Sequence, residues 1–208
     1  MTTKIKICGI TCIEDALAAC EAGADALGFV LVPEARKRNR YIETAAAAVI
    51  IAQLPPLVLS VAVVVNESLE TLLEYARIFD RIQLHGDEPP EVCRALGAKA
   101  FKAFQVKPGM TLDDLEQYPN NCILLDAWTP DSRGGAGKVC DWEFAAQAAA
   151  QKQVLLAGGL TPENVEEAVR RIQPYGVDAS SSLESAPGKK DHERIRSFIN
   201  NTRKASLA

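Results

Sequence analysis

Two reactive side chains each stand at the end of an apolar run of the chain. Cys8 ends the run "KIKIC" and is followed by Gly9, and Asp126 ends the run "CILLD". A thiol acts as a base only as the thiolate, which needs nearby positive charge or hydrogen-bond donors. A poorly solvated carboxyl group has a raised pKa and can donate its proton near neutral pH. Together, Cys8 and Asp126 predict general acid–base chemistry. Taken singly, each has an alternative: Cys8 could be an inert core thiol, and Asp126 could bond its own backbone.

The elements that must position these groups alternate along the chain. Short apolar runs rich in β-branched residues are each followed by an amphipathic stretch. The predicted strands span residues 4–8, 25–31, 57–65, 81–85, 98–104, 122–127, 153–158 and 176–180. The predicted helices span residues 12–22, 43–53, 68–78, 88–96, 111–117, 141–151, 162–172 and 190–203. Such alternation predicts a parallel sheet with helical crossovers.

Eight strand–helix units predict an α/β fold of the closed (β/α)8, or TIM, barrel type. The alternative is an open, doubly wound sheet of the kind that binds dinucleotides. No G-x-G-x-x-G follows the first predicted strand, and no acidic residue stands in the ribose-binding role. We therefore expect residues 1–208 to form one compact barrel domain.

In a barrel of this type the active site lies at the C-terminal ends of the strands. Read in chain order, those ends carry Cys8-Gly9, Phe29, Asn66, His85-Gly86, Phe104-Gln105, Asp126, Gly158-Gly159 and Ser180-Ser181-Ser182. One thiol, one carboxyl group and two turns of small residues therefore converge on one face of the predicted barrel.

The first strand also carries charge beneath its cysteine. Lys4, Lys6 and Cys8 alternate and therefore share one face of the strand. If that face lines the barrel interior, Lys6 lies one layer below Cys8 and needs a partner, because an unpaired buried ammonium is costly. Asp178 on the neighbouring last strand is the partner that we expect. The pair is then structural, and Lys6 also favours the thiolate of Cys8.

The last two strand ends have the composition of an anion site. Gly158 and Gly159 end one strand just before a helix, and "DASSSLES" ends the next strand with three serines. Glycines let the backbone approach a ligand closely, and backbone N–H groups at a helix N-terminus favour an anion. The loops after strands 7 and 8 are the recurrent phosphate site of such barrels. Two ordinary tight turns are the alternative, but their adjacency favours a phosphate.

Composition and charge limit the partners of the chain. Its 208 residues carry a net charge of −4, without a basic stripe for nucleic acid or a polybasic segment for an acidic membrane. No apolar run reaches the ~18 residues of a membrane span, and no signal peptide precedes the first strand. We expect a cytoplasmic protein that holds a small anionic molecule through local donors.

The six cysteines and two histidines bear on redox state and metal binding. In a cytoplasmic protein the cysteines are expected as thiols rather than disulfides. Cys8 and Cys12 are four residues apart, but the histidines are His85 and His192, and a zinc site needs a better cluster. We therefore expect no metal.

The chain carries, in this order, the motifs "KICGIT", "GADALGFV", "VVVNE", "QLHGDE", "LLDA", "GGAGKVCDW", "AGGLTPENV", "GVDASSSLES" and "PGKKD". Through them, residues 4 to about 199 resemble the phosphoribosylanthranilate isomerase family of tryptophan biosynthesis. The resemblance implies an aldose–ketose isomerase, an intramolecular oxidoreductase that needs no metal or cofactor. Its reaction is the Amadori rearrangement of N-(5-phosphoribosyl)anthranilate to 1-(2-carboxyphenylamino)-1-deoxyribulose 5-phosphate.

The resemblance also implies the roles of the two reactive side chains. The general acid of the family matches Asp126, which protonates the ribose ring oxygen and opens the ring to a Schiff base. The general base matches Cys8, which removes the proton from C2 of the sugar. The resulting enolamine then relaxes to the ketone.

An arginine after the second strand holds the anthranilate carboxylate in this family. Here that loop reads "VPEARKRNRYIE", is longer than usual and lacks the family's Ser-Pro. Arg40, just before a tyrosine, is the best match, while Arg36, Lys37 and Arg38 compete for the role. A guanidinium offers a carboxylate two parallel hydrogen bonds, which favours an arginine over the lysine. A solvated basic loop is the alternative.

The resemblance implies the remaining substrate contacts. The phosphate is expected on the turn of Gly158 and Gly159 and on Ser181 and Ser182, of which Ser182 replaces a glycine of the family. His85 is expected on the floor of the site in a supporting role, with a core histidine as the alternative. The glycines at 134, 135 and 137 suggest a mobile loop beside the acid, with a plain surface loop as the alternative.

Other functions fit parts of this pattern. Indole-glycerol-phosphate synthase and ribulose-phosphate epimerase share the late Gly and Ser turns, but the epimerase needs more histidines for its metal. A sugar isomerase of histidine biosynthesis uses paired aspartates where this chain has Cys8 and Phe104-Gln105. A barrel that binds a phosphosugar without turnover is the non-enzymatic alternative, against which the intact Cys8 and Asp126 argue. We expect the chain to work as a monomer.

Overall fold

The structure is a computed structural model that describes residues 2–128 and 140–206. Eight parallel strands form a closed barrel in chain order. The strands are β1 Lys4–Cys8, β2 Ala26–Val30, β3 Leu59–Val64, β4 Arg81–Leu84, β5 Ala100–Val106, β6 Cys122–Ala127, β7 Gln153–Leu156 and β8 Gly176–Ala179. The helices are α1 Ile13–Ala22, α2 Thr44–Ile51, α3 Leu69–Ile78, α4 Pro90–Leu96, α5 Leu112–Glu116, α6 Trp142–Ala149, α7 Val165–Ile172 and α8 His192–Ser206. The predicted (β/α)8 barrel is confirmed.

Successive residues of each strand point alternately into two apolar layers, one between the barrel and the helices and one inside the barrel. Ile5 and Ile7 of β1 belong to a large cluster with the inner faces of the helices. A smaller cluster fills the barrel itself, and its members are Val61, Phe101, Ala103, Leu124, Leu155 and Ala157. Because neighbouring residues of a strand point to opposite faces, Lys6 and Cys8 face the interior, and Asp126 does so two residues after Leu124.

The barrel closes through a buried ion pair between its first and last strands. Lys6 and Asp178 are register partners, and the Lys6 Nζ lies 2.8 Å from the Asp178 Oδ1. Burial lowers the pKa of Lys6, but the charges and hydrogen bonds of Asp178 and Cys8 raise it by more, so the pKa lies above its ordinary value. The prediction that Asp178 partners a buried Lys6 beneath Cys8 is confirmed.

Several boundaries differ from the sequence prediction. The fifth strand begins at Ala100 because residues 97–99 form a 3-10 turn. The seventh helix begins at Val165, after a turn over residues 162–164. The glycines at 134, 135 and 137, predicted to form a mobile loop, lie outside the described residues.

A short hairpin between β8 and α8 was not predicted. Its strands are β9 Glu184–Ala186 and β10 Lys189–Lys190, and they pair antiparallel. Two- and three-residue strands around a Pro-Gly pair carry too little apolar alternation to be detected in a sequence. The hairpin has positive φ at Gly188.

In the part of the chain that the structure describes, no helix has the length and apolar character needed to cross a membrane. The same residues contain no cluster of three histidine, cysteine or acidic side chains that could hold a metal ion.

The buried ion pair generates a prediction for stability. Replacing Lys6 with methionine leaves the Asp178 carboxylate buried and unpaired, so we expect the free energy of unfolding to fall by about 3–5 kcal/mol. Adding Asp178→Asn to Lys6→Met removes the orphaned charge and restores part of that loss. Urea denaturation measures both effects.

The matched control is Lys4→Met on the same strand. The Lys4 side chain is 48% exposed and its ion pair with Asp25 lies at the surface, so its loss costs about 0–1 kcal/mol. If Lys4→Met and Lys6→Met lowered the free energy of unfolding equally, the buried pair would not stabilise the barrel more than a surface pair.

Candidate active site

Cys8 stands at the C-terminal end of β1, buried and directed into the barrel. Its register partner on β2 is Gly28, where an added Cβ would lie 2.7 Å from the Cys8 Sγ and 3.0 Å from the Lys6 Nζ. A side chain on Gly28 would therefore displace the thiol or the ammonium beneath it. The sequence offered one signal for this contact, since a glycine inside a strand marks a close approach.

The charges around Cys8 act in opposite directions. Burial raises the pKa of the thiol, the Lys6 and Lys190 ammoniums lower it, and the Asp178 carboxylate raises it. The net pKa lies above the ordinary value. Cys8 therefore needs its cationic neighbours to reach the thiolate.

Asp126 lies near the end of β6 and is also buried. Its Oδ1 accepts a hydrogen bond of 2.8 Å from the Ala127 N–H, and its Oδ2 lies 3.5 Å from the His85 Nε2. The backbone contact considered as an alternative is thus present, and it fixes the carboxyl group rather than turning it away from the site.

His85 is placed by a glutamine that sequence reasoning did not single out. The Gln83 Nε2 lies 3.0 Å from the His85 Nδ1, and Gln83 is buried. This contact orients the ring so that its Nε2 lies toward Asp126. The two residues alternate on β4 and its end, so both point into the barrel.

Among the competing basic residues of the second loop, Arg40 lies at the site and Arg36 does not. The Arg36 side chain is 60% exposed, pairs with Glu43 at 2.8 Å and stacks over Tyr41. Arg40 is largely buried, and its Cδ lies 3.5 Å from where a Cβ on Gly9 would be. The structure thereby separates two candidates that the sequence left open.

Arg40 is held by a carboxylate of the C-terminal hairpin. Its Nε and Nη2 each donate a 2.8 Å hydrogen bond to Glu184, which also accepts a 3.1 Å bond from Lys190. This bidentate pair fixes the plane of the guanidinium at the barrel mouth. Neither Glu184 nor Lys190 was predicted as part of the site, because both belong to the undetected hairpin.

The turn after β7 packs against the aspartate. Gly158 and Gly159 both have positive φ, and a Cβ on Gly158 would lie 2.4 Å from the Ala127 N and 2.9 Å from the Asp126 Oδ1. Only glycine fits at Gly158 without moving the acid. The Asn164 side-chain amide holds this turn through the Gly159 carbonyl at 2.9 Å.

The turn after β8 is tied to the same glycine turn. Ser181 and Ser182 begin a 3-10 turn, and the Ser182 hydroxyl donates to the Leu160 carbonyl. The Ser182 hydroxyl thus links the two turns. The two turns follow the neighbouring strands β7 and β8.

A buried thiol and a buried carboxyl group at one end of a (β/α)8 barrel are the equipment of an acid–base enzyme. Comparison with known proteins gives the particular family. The family model described as N-(5'-phosphoribosyl)anthranilate (PRA) isomerase matches residues 5–201 of this chain. The chain belongs to the N-(5'-phosphoribosyl)anthranilate isomerase family.

Individual relatives agree over nearly the whole length. The N-(5'-phosphoribosyl)anthranilate isomerase of Pelobacter propionicus is 47% identical over 198 residues, which are 94% of this chain and 93% of the relative. A phosphoribosyl anthranilate isomerase solved with reduced 1-(o-carboxyphenylamino)-1-deoxyribulose 5-phosphate is 38% identical, with a TM-score of 0.81 and coverage of 97% and 99%. The monomers generated from the dimeric phosphoribosylanthranilate isomerase of Thermotoga maritima are also 38% identical to this chain. Their TM-score is 0.81, and the match covers 97% of this chain and 99% of that chain.

Proposed function

We propose that this chain is an N-(5'-phosphoribosyl)anthranilate isomerase of tryptophan biosynthesis, in which Asp126 and Cys8 transfer the protons. The observation that carries the assignment of roles is the burial of both groups on the interior face of strands β1 and β6, at one end of the barrel. An Amadori rearrangement needs an acid and a base on opposite sides of one substrate, and two strands that are not neighbours in the barrel supply them.

Asp126 starts the reaction as the general acid. It donates its proton to the ribose ring oxygen, the bond between that oxygen and C1 breaks, and the anthranilate nitrogen becomes part of a protonated Schiff base. The Ala127 N–H binds the Oδ1 and the His85 ring lies 3.5 Å from the Oδ2, which orients the carboxyl group during this transfer. His85 thus lies at the floor of the site and orients the Asp126 carboxyl group.

Cys8 completes the reaction as the general base. Its thiolate takes the proton from C2 of the sugar, and the electron pair of that C–H bond neutralises the Schiff base to give an enolamine. The C2 hydroxyl then loses its proton while C1 gains one, which yields the ketone. The Lys6 ammonium stabilises the thiolate from the layer below.

Both ends of the substrate are anionic, and the site binds each with a different kind of group. Arg40 supplies a guanidinium for the anthranilate carboxylate, and Glu184 has already fixed its plane. The phosphate takes the turns of Gly158 and Gly159 and of Ser181 and Ser182, where backbone N–H groups replace a charged side chain. The reduced product bound to a 38% identical relative supports a ligand with both groups.

The catalytic roles predict a matched set of variants. Cys8→Ala and Asp126→Asn should each lower kcat by about 10²–10⁴-fold, because each removes one proton-transfer group. The loss of substrate fluorescence with freshly made phosphoribosylanthranilate measures turnover. Cys12→Ala, which changes a partly exposed thiol four residues away, should retain parental turnover. Full activity in Cys8→Ala would rule out this base.

The carboxylate contact predicts a different kinetic signature. Arg40→Lys keeps the charge but loses the two-pronged geometry, so KM should rise by about tenfold with a smaller change in kcat. Arg36→Lys on the exposed part of the same loop should leave both constants near the parental values. A KM that rises in the Arg36 variant instead would assign the carboxylate to Arg36.

We also propose that residues 1–208 work as one cytoplasmic domain and as a monomer. The acid, the base and Arg40 all come from one chain, so no second copy is needed to complete the site. All six cysteines are free thiols, as in proteins of a reducing compartment. Light scattering should give the mass of one chain; the mass of two chains, as in the dimeric Thermotoga relative, would contradict this proposal.

A further inference from the structure

The hairpin β9–β10 is fixed between two loops of the barrel mouth. The Thr11 hydroxyl, after β1, donates a 3.1 Å hydrogen bond to the Gly188 carbonyl. On the other side, a Cβ on Gly188 would lie 2.0 Å from the Asn39 carbonyl oxygen, so the two backbones are in direct contact. The Asp15 Oδ2 accepts a 2.9 Å hydrogen bond from the Lys190 backbone N–H. The end of the hairpin is therefore held in place independently of its side chains.

This placement directs the Lys190 side chain at the end of β1. The side chain is fully buried, and its Nζ donates 3.1 Å hydrogen bonds to the Ser180 carbonyl and to the Glu184 Oε1. The same Nζ lies 3.5 Å from where a Cβ on Gly9 would be. The ammonium thus stands against the residue that directly follows Cys8.

Glu184 holds this ammonium and is itself fully engaged. Its carboxylate accepts hydrogen bonds from the Arg40 Nε, the Arg40 Nη2 and the Lys190 Nζ. Burial raises the pKa of Glu184, but Arg40 and Lys190 lower it by more, so the carboxylate is ionised. Burial lowers the pKa of Lys190 below its ordinary value; the negative charges of Glu184 and Cys8 oppose this change in part, and Arg40 adds to it.

The charges that surround Cys8 do not cancel. Lys6 is neutralised by Asp178 at 2.8 Å. On the other side, two cations share the single carboxylate of Glu184, which leaves one surplus positive charge beside the base. The charged groups facing Cys8 or its cationic neighbour are Lys6 on β1, Asp178 on β8, Lys190 on β10, Glu184 on β9 and Arg40 in the second loop.

We propose that Lys190 is a positioning residue for the base, whose ammonium stabilises the Cys8 thiolate and is held in place by Glu184. The inference rests on the proposed function, in which Cys8 removes the C2 proton. It gives the motif "PGKKD" a physical role: the hairpin exists to bring one cation over the end of the first strand.

The test follows the ionisation of Cys8 without using substrate. The rate of iodoacetamide alkylation at Cys8 is measured against pH by peptide mass spectrometry, for the parent and for Lys190→Met, Lys190→Arg and Lys189→Met. Lys190→Met should raise the pH midpoint of Cys8 alkylation by about 1 unit or more, because it removes a positive charge near the thiolate. Lys190→Arg keeps the charge and should restore the parental midpoint. Lys189→Met, on the exposed neighbour, should not move it.

The pH profile of kcat/KM gives the second readout. In Lys190→Met the limb that reports the ionisation of Cys8 should move to higher pH, so that the loss of kcat/KM is about tenfold near neutral pH and shrinks at alkaline pH. A loss that is equal at every pH, or an unshifted alkylation midpoint, would reduce Lys190 to a structural role and overturn the proposal.

Lys190→Gln keeps the proposal testable if Lys190→Met does not fold. The amide introduced by this change can still donate a hydrogen bond but carries no charge, so the midpoint of Cys8 alkylation should rise as in Lys190→Met. A midpoint that falls or stays unchanged in this variant would contradict the proposal. Because alkylation needs no turnover, failure of the proposed function would appear separately, as a folded parent that does not consume phosphoribosylanthranilate.

Discussion

The ion pair between Lys6 and Asp178 is the contact on which the rest of the site depends. It joins the first and last strands inside the barrel, where neither charge could remain alone. It also places an ammonium directly beneath Cys8, with Gly28 leaving the space that both groups need. Closing the barrel and preparing its base are therefore consequences of one buried pair.

The two proton-transfer groups are kept in different surroundings. Cys8 is surrounded by charge, with Lys6 below it and Lys190 at its side, both of which favour its charged form. Asp126 is instead fixed by a backbone N–H and a histidine ring, whose orientation Gln83 determines. Separate environments of this kind let one site hold an acid and a base at the same pH. Arg40 and Lys190 share Glu184, so the carboxylate site and the base site are parts of one charged network.

Much of this architecture was predictable from the sequence, for physical reasons. Parallel strands buried on both faces give apolar runs, and the alternation of Lys6 and Cys8 was enough to predict Asp178 as a partner. The hairpin of Glu184 and Lys190 was missed because strands this short leave no periodic pattern. The resemblance already favoured Arg40 over Arg36, Lys37 and Arg38, but only the fold shows that the Arg40 guanidinium reaches Glu184.

The most direct test compares two pH dependences in the unmodified protein: that of kcat/KM and that of Cys8 alkylation. If Cys8 is the base, one of the ionisations in the pH profile of kcat/KM should coincide with the midpoint of Cys8 alkylation, which lies above the ordinary pKa of a thiol because burial outweighs the cations around it. Midpoints that differ by about 1 pH unit or more would mean that another group removes the C2 proton.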